Sequence, residues 1–76
     1  MQLEKVDRTG NEFRAYRIEL TRSLFGDWGV DRNWGRIGTK GRSRIDWFET
    51  KEAAGDAAST ILRQKLNRGY RLRSDF

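Results

Sequence analysis

Trp34-Gly35-Arg36-Ile37-Gly38-Thr39-Lys40-Gly41 places three glycines in eight residues, between two runs that read as strands: Asp27 to Trp34 before it and Ser43 to Glu49 after it. Glycines at this density permit backbone conformations closed to other residues. The stretch Gly35 to Gly41 therefore reads as a turn joining an antiparallel pair. In the upstream strand a regular alternation puts Trp28, Val30, Arg32 and Trp34 on one face, so a core-facing side would also have to accept an arginine. Either the strand bulges near Arg32-Asn33 or the two tryptophans occupy different environments. We expect Trp28 in the core and Trp34 at the end of the sheet. The returning strand carries Ile45, Trp47 and Phe48.

The rest of the chain builds around this pair. Leu3 to Arg8 alternates weakly, Thr9-Gly10-Asn11 signals a turn, and Phe13 to Thr21 alternates with Tyr16, Ile18 and Leu20 on one side and Arg17 and Glu19 on the other. This is the pattern of a hairpin with one buried face. Phe25-Gly26-Asp27 breaks the second strand. Thr50 suits a helix N-cap and Glu52 suits the first turn, so a helix is predicted from about Lys51 to Asn67. Ala54, Ala57, Ala58, Ile61 and Leu62, joined by Leu66, recur at the three- and four-residue spacing of an apolar stripe. Lys65 and Arg68 suit the negative end of that helix and Gly69 the left-handed residue that stops it. Gly55 costs about 1 kcal/mol relative to alanine in a helix, so it is expected to mark a close approach to a strand. Tyr70 to Phe76 forms a short closing strand or a loop laid over the sheet. The fold class is α+β: a strongly bent antiparallel sheet of about four strands with one long helix packed across it.

A length of 76 residues suits one compact domain, residues 1–76, and is too short for a deep substrate cavity. With 36% hydrophobic and 12% aromatic residues the chain has more apolar material than a disordered tail. No stretch approaches the roughly 20 apolar residues of a membrane span, and Met1-Gln2-Leu3-Glu4 lacks the apolar core of a secretion signal. A soluble, cytoplasmic protein with no membrane partner is expected. Cysteine and histidine are both absent. Disulfide frameworks, thiol nucleophiles, zinc sites and histidine triads are thereby excluded. Carboxylate pairs such as Asp27 with Asp31 or Glu49 with Glu52 have nothing to set them apart from ordinary surface charges. No enzymatic activity, metal or cofactor is expected.

Charge distribution says more than the net charge of +5. Arg32, Arg36, Lys40, Arg42 and Arg44 fall in one segment, and Arg63, Lys65, Arg68, Arg71 and Arg73 in another. Together the two segments hold ten of the sixteen cations and none of the eleven acidic residues. Such segregation favours a polyanion-binding face over a uniformly solubilising surface. Twelve of the cations are arginine, whose planar fork pairs bidentately with phosphate. The alternative is a solvated charged surface.

Trp34-Gly35-Arg36, together with Asn11-Glu12-Phe13 and the run from Lys65 to Gly69-Tyr70, resembles the signature of the WGR domain, best known from DNA-damage-dependent poly(ADP-ribose) polymerases. The resemblance covers nearly the whole chain and extends to small free-standing bacterial relatives. It implies the same sheet-and-helix fold and a nucleic-acid-binding module, DNA favoured over RNA, that reads DNA ends or breaks. The family's tryptophan sits at the DNA end, so Trp34 would stack on a terminal sugar; the alternative is a core tryptophan capping the sheet. Arg36 corresponds to an arginine that joins DNA, module and catalytic region; here it would contact DNA, brace its loop through Asp31 or Asp46, or meet a partner chain. Asn11 corresponds to a neighbourhood near the bound 5′ end, its alternative role being a hairpin turn residue. Lys40, Arg42, Arg44 and Arg68 are candidate phosphate ligands by charge, and Gly35 is a structural glycine beside them. Polymerase relatives carry aromatics where this chain has Arg14 and Ala15. The same Trp-Gly-Arg surface could instead dock an acidic protein, and monomer is the default oligomeric state.

Overall fold

The structure is a computed structural model, and residues 1–73 are described. Five strands and one helix follow in the order β1 (Gln2–Asp7), β2 (Glu12–Arg22), β3 (Trp28–Arg36), β4 (Arg42–Phe48), α1 (Lys51–Asn67) and β5 (Arg71–Leu72). The strands form one antiparallel sheet in the spatial order β4-β3-β2-β1-β5, with the helix packed on one face. Four long strands match the expected number. The fifth is the closing strand of the tail; the last three residues of the predicted Tyr70 to Phe76 segment lie outside the described residues.

The helix runs over Lys51–Asn67 as its capping signals require. The Thr50 hydroxyl accepts a hydrogen bond from the Ala53 amide at 3.1 Å. At the other end Gly69 takes φ +96°, and the amides of Arg68, Gly69 and Tyr70 return to the carbonyls of Gln64, Lys65 and Leu66. These bonds satisfy carbonyls that would otherwise be orphaned at the helix end. Ala54 is fully buried, and Ala57, Ala58, Ile61 and Leu62 pack against the core. Leu66 does not join them and is 42% exposed. Lys65, four residues after Ile61 and three after Leu62, holds the sheet-facing position instead, and its ammonium lies 4.6 Å from the centre of the Tyr16 ring.

Core residues Leu3, Tyr16, Ile18 and Val30 come from the three central strands, and Ala54 lies above them. In the β1–β2 register Leu3 faces Tyr16, and in the β2–β3 register Tyr16 faces Trp34, Ile18 faces Arg32 and Leu20 faces Val30. The pairing runs without a bulge through Arg32 and Asn33, so Trp28, Val30, Arg32 and Trp34 do share the helix-side face. The conflict is resolved by pairing: Arg32 is held at 2.9 Å by the Asp46 carboxylate and donates at 3.4 Å to the Tyr16 hydroxyl. Trp28, expected in the core, is only half-buried. It packs on the core from the rim, under the Arg22 guanidinium and the Lys51 ammonium, each 5.3 Å from its ring centre.

Leu20 shares the face of Tyr16 and Ile18 but is 41% exposed. Gly55 makes no close approach to a strand: a Cβ there would meet no atom within 4 Å. Gly55 and Leu20 line a largely apolar groove with Met1, Ile18, Ala58 and Leu62, with Glu19 and Ser59 as its polar members. Gly55→Ala should therefore stabilise the protein by about 0.5–1 kcal/mol through helix propensity alone. Thermal or urea unfolding checks this; a loss of stability would mean that the groove needs to stay open. Among the described residues no helix is long and apolar enough to cross a membrane.

Candidate nucleic-acid interface

The C-terminal end of the helix and the Trp34 end of the sheet border an open polar hollow of about 660 Å³. Trp34 and Tyr70 supply its aromatic surface. Lys5 comes from β1, Asn11 and Gly10 from the β1–β2 turn, Arg14 from β2, and Lys65 and Arg68 from the end of the helix. The one carboxylate among its lining residues is Glu12, 3.3 Å from the Lys5 ammonium and 4.0 Å from Arg14. Four cations thus face one anion.

Tyr16 braces the hollow from beneath. Its ring is stacked on the Trp34 indole with centroids 5.9 Å apart and planes at 17°, and the Tyr70 ring meets it edge-on at 6.2 Å. The Arg32 guanidinium lies 5.9 Å from the Trp34 ring centre. Trp34 is therefore neither a free indole nor a buried core residue. It is half-buried, fixed by the core and presented to the hollow.

Crowding of positive charge is felt most by Lys65. Partial burial, followed by the charges of Arg68, Arg32 and Arg14, holds its ammonium below the usual lysine value of 10.5. The sign is that of a charge disfavoured by folding: Lys65 subtracts from stability at neutral pH, and the penalty fades as pH rises toward 10.5. An anion bound in the hollow would oppose the contribution of those neighbouring charges.

The residues singled out in the sequence divide between this hollow and its surroundings. Trp34, Asn11 and Arg68 line it. Asn11 is also a turn residue, with φ +55°. Its turn is held by the Asp7 carboxylate, which accepts from the Thr9 amide and hydroxyl and the Gly10 amide. Arg36 ends β3 with its guanidinium 5.5 Å from the centre of the Phe13 ring, beside a smaller hollow that shares Asn11, Glu12 and Arg14 with the first. The ion pairs considered for Arg36 are not formed: Asp31 lies on the other face of β3 and Asp46 stands opposite Val30, six residues from Arg36, and the two carboxylates pair with Arg17 at 3.6 Å and with Arg32 and Arg44 at 2.9 and 3.0 Å.

Lys40, Arg42 and Arg44 lie away from the hollow. Lys40 is exposed in the β3–β4 loop, its carbonyl accepting from the Asn33 side-chain amide. Arg42 stands opposite Trp34 on the edge strand, and Arg44 is committed to Asp46. Gly35 is structural: a Cβ on it would come within 2.8 Å of the Gly41 Cα across the hairpin. Lys5 and Arg14 are lining residues that the sequence does not single out, and Lys65, which falls in the second basic segment, is not among its candidate ligands. Periodicity also puts Lys65 on the apolar stripe of the helix and Arg14 on the Tyr16 face of β2.

The chain is 41% identical over 73 residues to the uncharacterized protein y4dW of Sinorhizobium fredii (strain NBRC 101917 / NGR234), covering 96% of this chain and 36% of the relative. It is 40% identical over 38 residues to protein YehF of Escherichia coli (strain K12), covering 50% of this chain and 14% of the relative. The chain thus spans about a third of the first of these curated relatives and less of the second. No solved structure matches it significantly. The WGR domain family model matches residues 1–76. With its Trp-Gly-Arg at the β3–β4 hairpin and its helix across an antiparallel sheet, the chain belongs to the WGR domain family.

Proposed function

We propose that this chain is a non-catalytic nucleic-acid-binding module that engages the end of a DNA duplex at the hollow beside Trp34. The observation that carries the reading is the gathering of Lys5, Arg14, Lys65 and Arg68 around an aromatic surface, against a single carboxylate. Phosphates supply the missing negative charge, and a sugar or unstacked base supplies the flat partner for the indole. Membership in the WGR family supports a nucleic-acid role. Asn11 stands at the rim to bond a terminal nucleotide, and Arg36 extends the basic surface past the mouth. Lys40 and Arg42 add longer-range attraction from the hairpin.

Salt dependence tests the reading. With about five phosphates neutralised, the logarithm of the association constant should fall against the logarithm of salt with a slope of about −4 to −5. Changing both Lys65 and Arg68 to alanine should bring that slope up by about 2 and weaken binding at low salt at least tenfold. Because both changes are at the helix end, circular dichroism must show the helix intact. A slope unaffected by the double change would move the binding surface elsewhere.

A further inference from the structure

The free edge of β4 carries a pattern that the nucleic-acid reading leaves unused. Antiparallel strands alternate which neighbour each residue's N–H and C=O address. At the ends of the β2–β3 ladder, the Ser23 amide donates to the Asp27 carbonyl at 2.9 Å and the Ile37 amide to the Phe13 carbonyl at 2.8 Å. Odd-numbered residues of β3 therefore bond to β2 and even-numbered ones to β4. In the β3–β4 register even pairs with even, so Arg42, Arg44, Asp46 and Phe48 bond inward, and Ser43, Ile45 and Trp47 direct their backbone groups to the open edge. None of these three is the charged residue or proline that usually blunts such an edge. On the face away from the helix Ile45 is 43% and Trp47 50% exposed, and both lie against Gly29, where a Cβ would come within 3.0 Å of either side chain.

We infer that two copies of this chain pair through β4, antiparallel about a two-fold axis at Ile45. That register sets Ile45 against Ile45 of the second copy and Trp47 against Ser43, each pair exchanging the edge-facing backbone hydrogen bonds. Between them, at positions where facing side chains approach most closely, Arg44 of each copy, 64% exposed and in the single chain 3.0 Å from its own Asp46, meets Asp46 of the other. Neighbouring registers lose this complementarity. Centring on Arg44 or Asp46 opposes like residues, and centring on Ser43 sets Arg42 against Arg44. The two chains form one ten-stranded sheet with the exposed Ile45 and Trp47 surface continuous across the axis. Each hollow stays open, on the opposite side of Trp34 from the joined edges. The partner is a second copy because the strand is its own complement in charge and in hydrogen bonding.

Sedimentation equilibrium over a wide concentration range tests the inference. The weight-average mass should climb from that of one chain toward that of two, with weak affinity because the joined surface is small. Arg44→Asp and Asp46→Lys should each weaken self-association at least about tenfold, since each opposes like charges twice in the dimer. Mixed in equal amounts the two variants should associate again, because each contact then joins an acid to a base. Ile45→Lys, which leaves the Arg32–Asp46 pair untouched, should also remove the dimer, with circular dichroism showing every variant folded. A wild-type chain that stays monomeric at the highest concentration, a dimer that survives Ile45→Lys, or a mixture that associates no better than its components would overturn it.

Discussion

Gly41→Ala is expected to cost about 2–5 kcal/mol of folding stability, the largest effect of any single added methyl group in the chain. Two penalties coincide there. Gly41 has φ +65°, in the left-handed region that costs an ordinary residue about 1–2 kcal/mol. Its new Cβ would also be driven into the Trp34 carbonyl, and the Gly35 Cα lies 3.4 Å away, so the backbones of β3 and β4 would have to separate. Neither neighbour is a flexible side-chain end that can swing aside. Since a chain this short has roughly 5–10 kcal/mol in hand, such a loss brings it near unfolding at room temperature. Gly38→Ala is the control. Gly38 has φ +89° but open space around its Cβ position, so only the conformational penalty applies and the loss should be about 1–2 kcal/mol. Urea denaturation of the two variants side by side checks the comparison; equal losses would show that the approach of the two strands is not what Gly41 provides.

Trp34→Ala should act on stability and on binding together. One side of the indole is stacked on Tyr16 and the ring packs against the core, so removing it should cost about 2–4 kcal/mol, somewhat less than truncating a fully buried tryptophan. The same ring lines the hollow, and loss of a stacking partner should weaken nucleic-acid binding by a further 1–3 kcal/mol or so. The two effects separate if binding is measured at a temperature where the variant is fully folded. Trp34→Phe should recover most of the stability, since a six-membered ring still covers Tyr16. If the folded Trp34→Ala variant bound nucleic acid as well as the wild type, the indole would be a structural residue only.

Features legible in the sequence are those set by local chemistry. The helix bounds follow from a hydroxyl at Thr50 and a left-handed glycine at Gly69, neither of which needs a tertiary partner. The β3–β4 hairpin follows from its glycines. By contrast, Arg32 on the helix-side face contradicts simple alternation, and only its pairing with Asp46, fourteen residues on, resolves it. Gly55 suggests a contact in sequence and is a gap in the fold, because a missing side chain does not say whether a neighbour fills the space. The candidate site was legible in kind but not in membership. Charge density marks Lys40, Arg42 and Arg44 and also the segment holding Lys65 and Arg68, whereas the hollow joins the latter to Lys5 and Arg14 from two strands, which only the fold brings together. Trp34 could be assigned to neither core nor surface from alternation alone, and the reason is physical: its ring is stacked on the core residue Tyr16 and also lines the hollow.

The most direct measurement is a fluorescence-anisotropy titration of a labelled blunt duplex carrying a 5′ phosphate, competed with circular duplex, single strands and RNA at two salt concentrations. An end-reading module predicts tight binding of the linear duplex that weakens with salt, yields poorly to circular competitor, and is lost when Lys65 and Arg68 are replaced. Equal competition by circular duplex, or no binding at low salt, would contradict it.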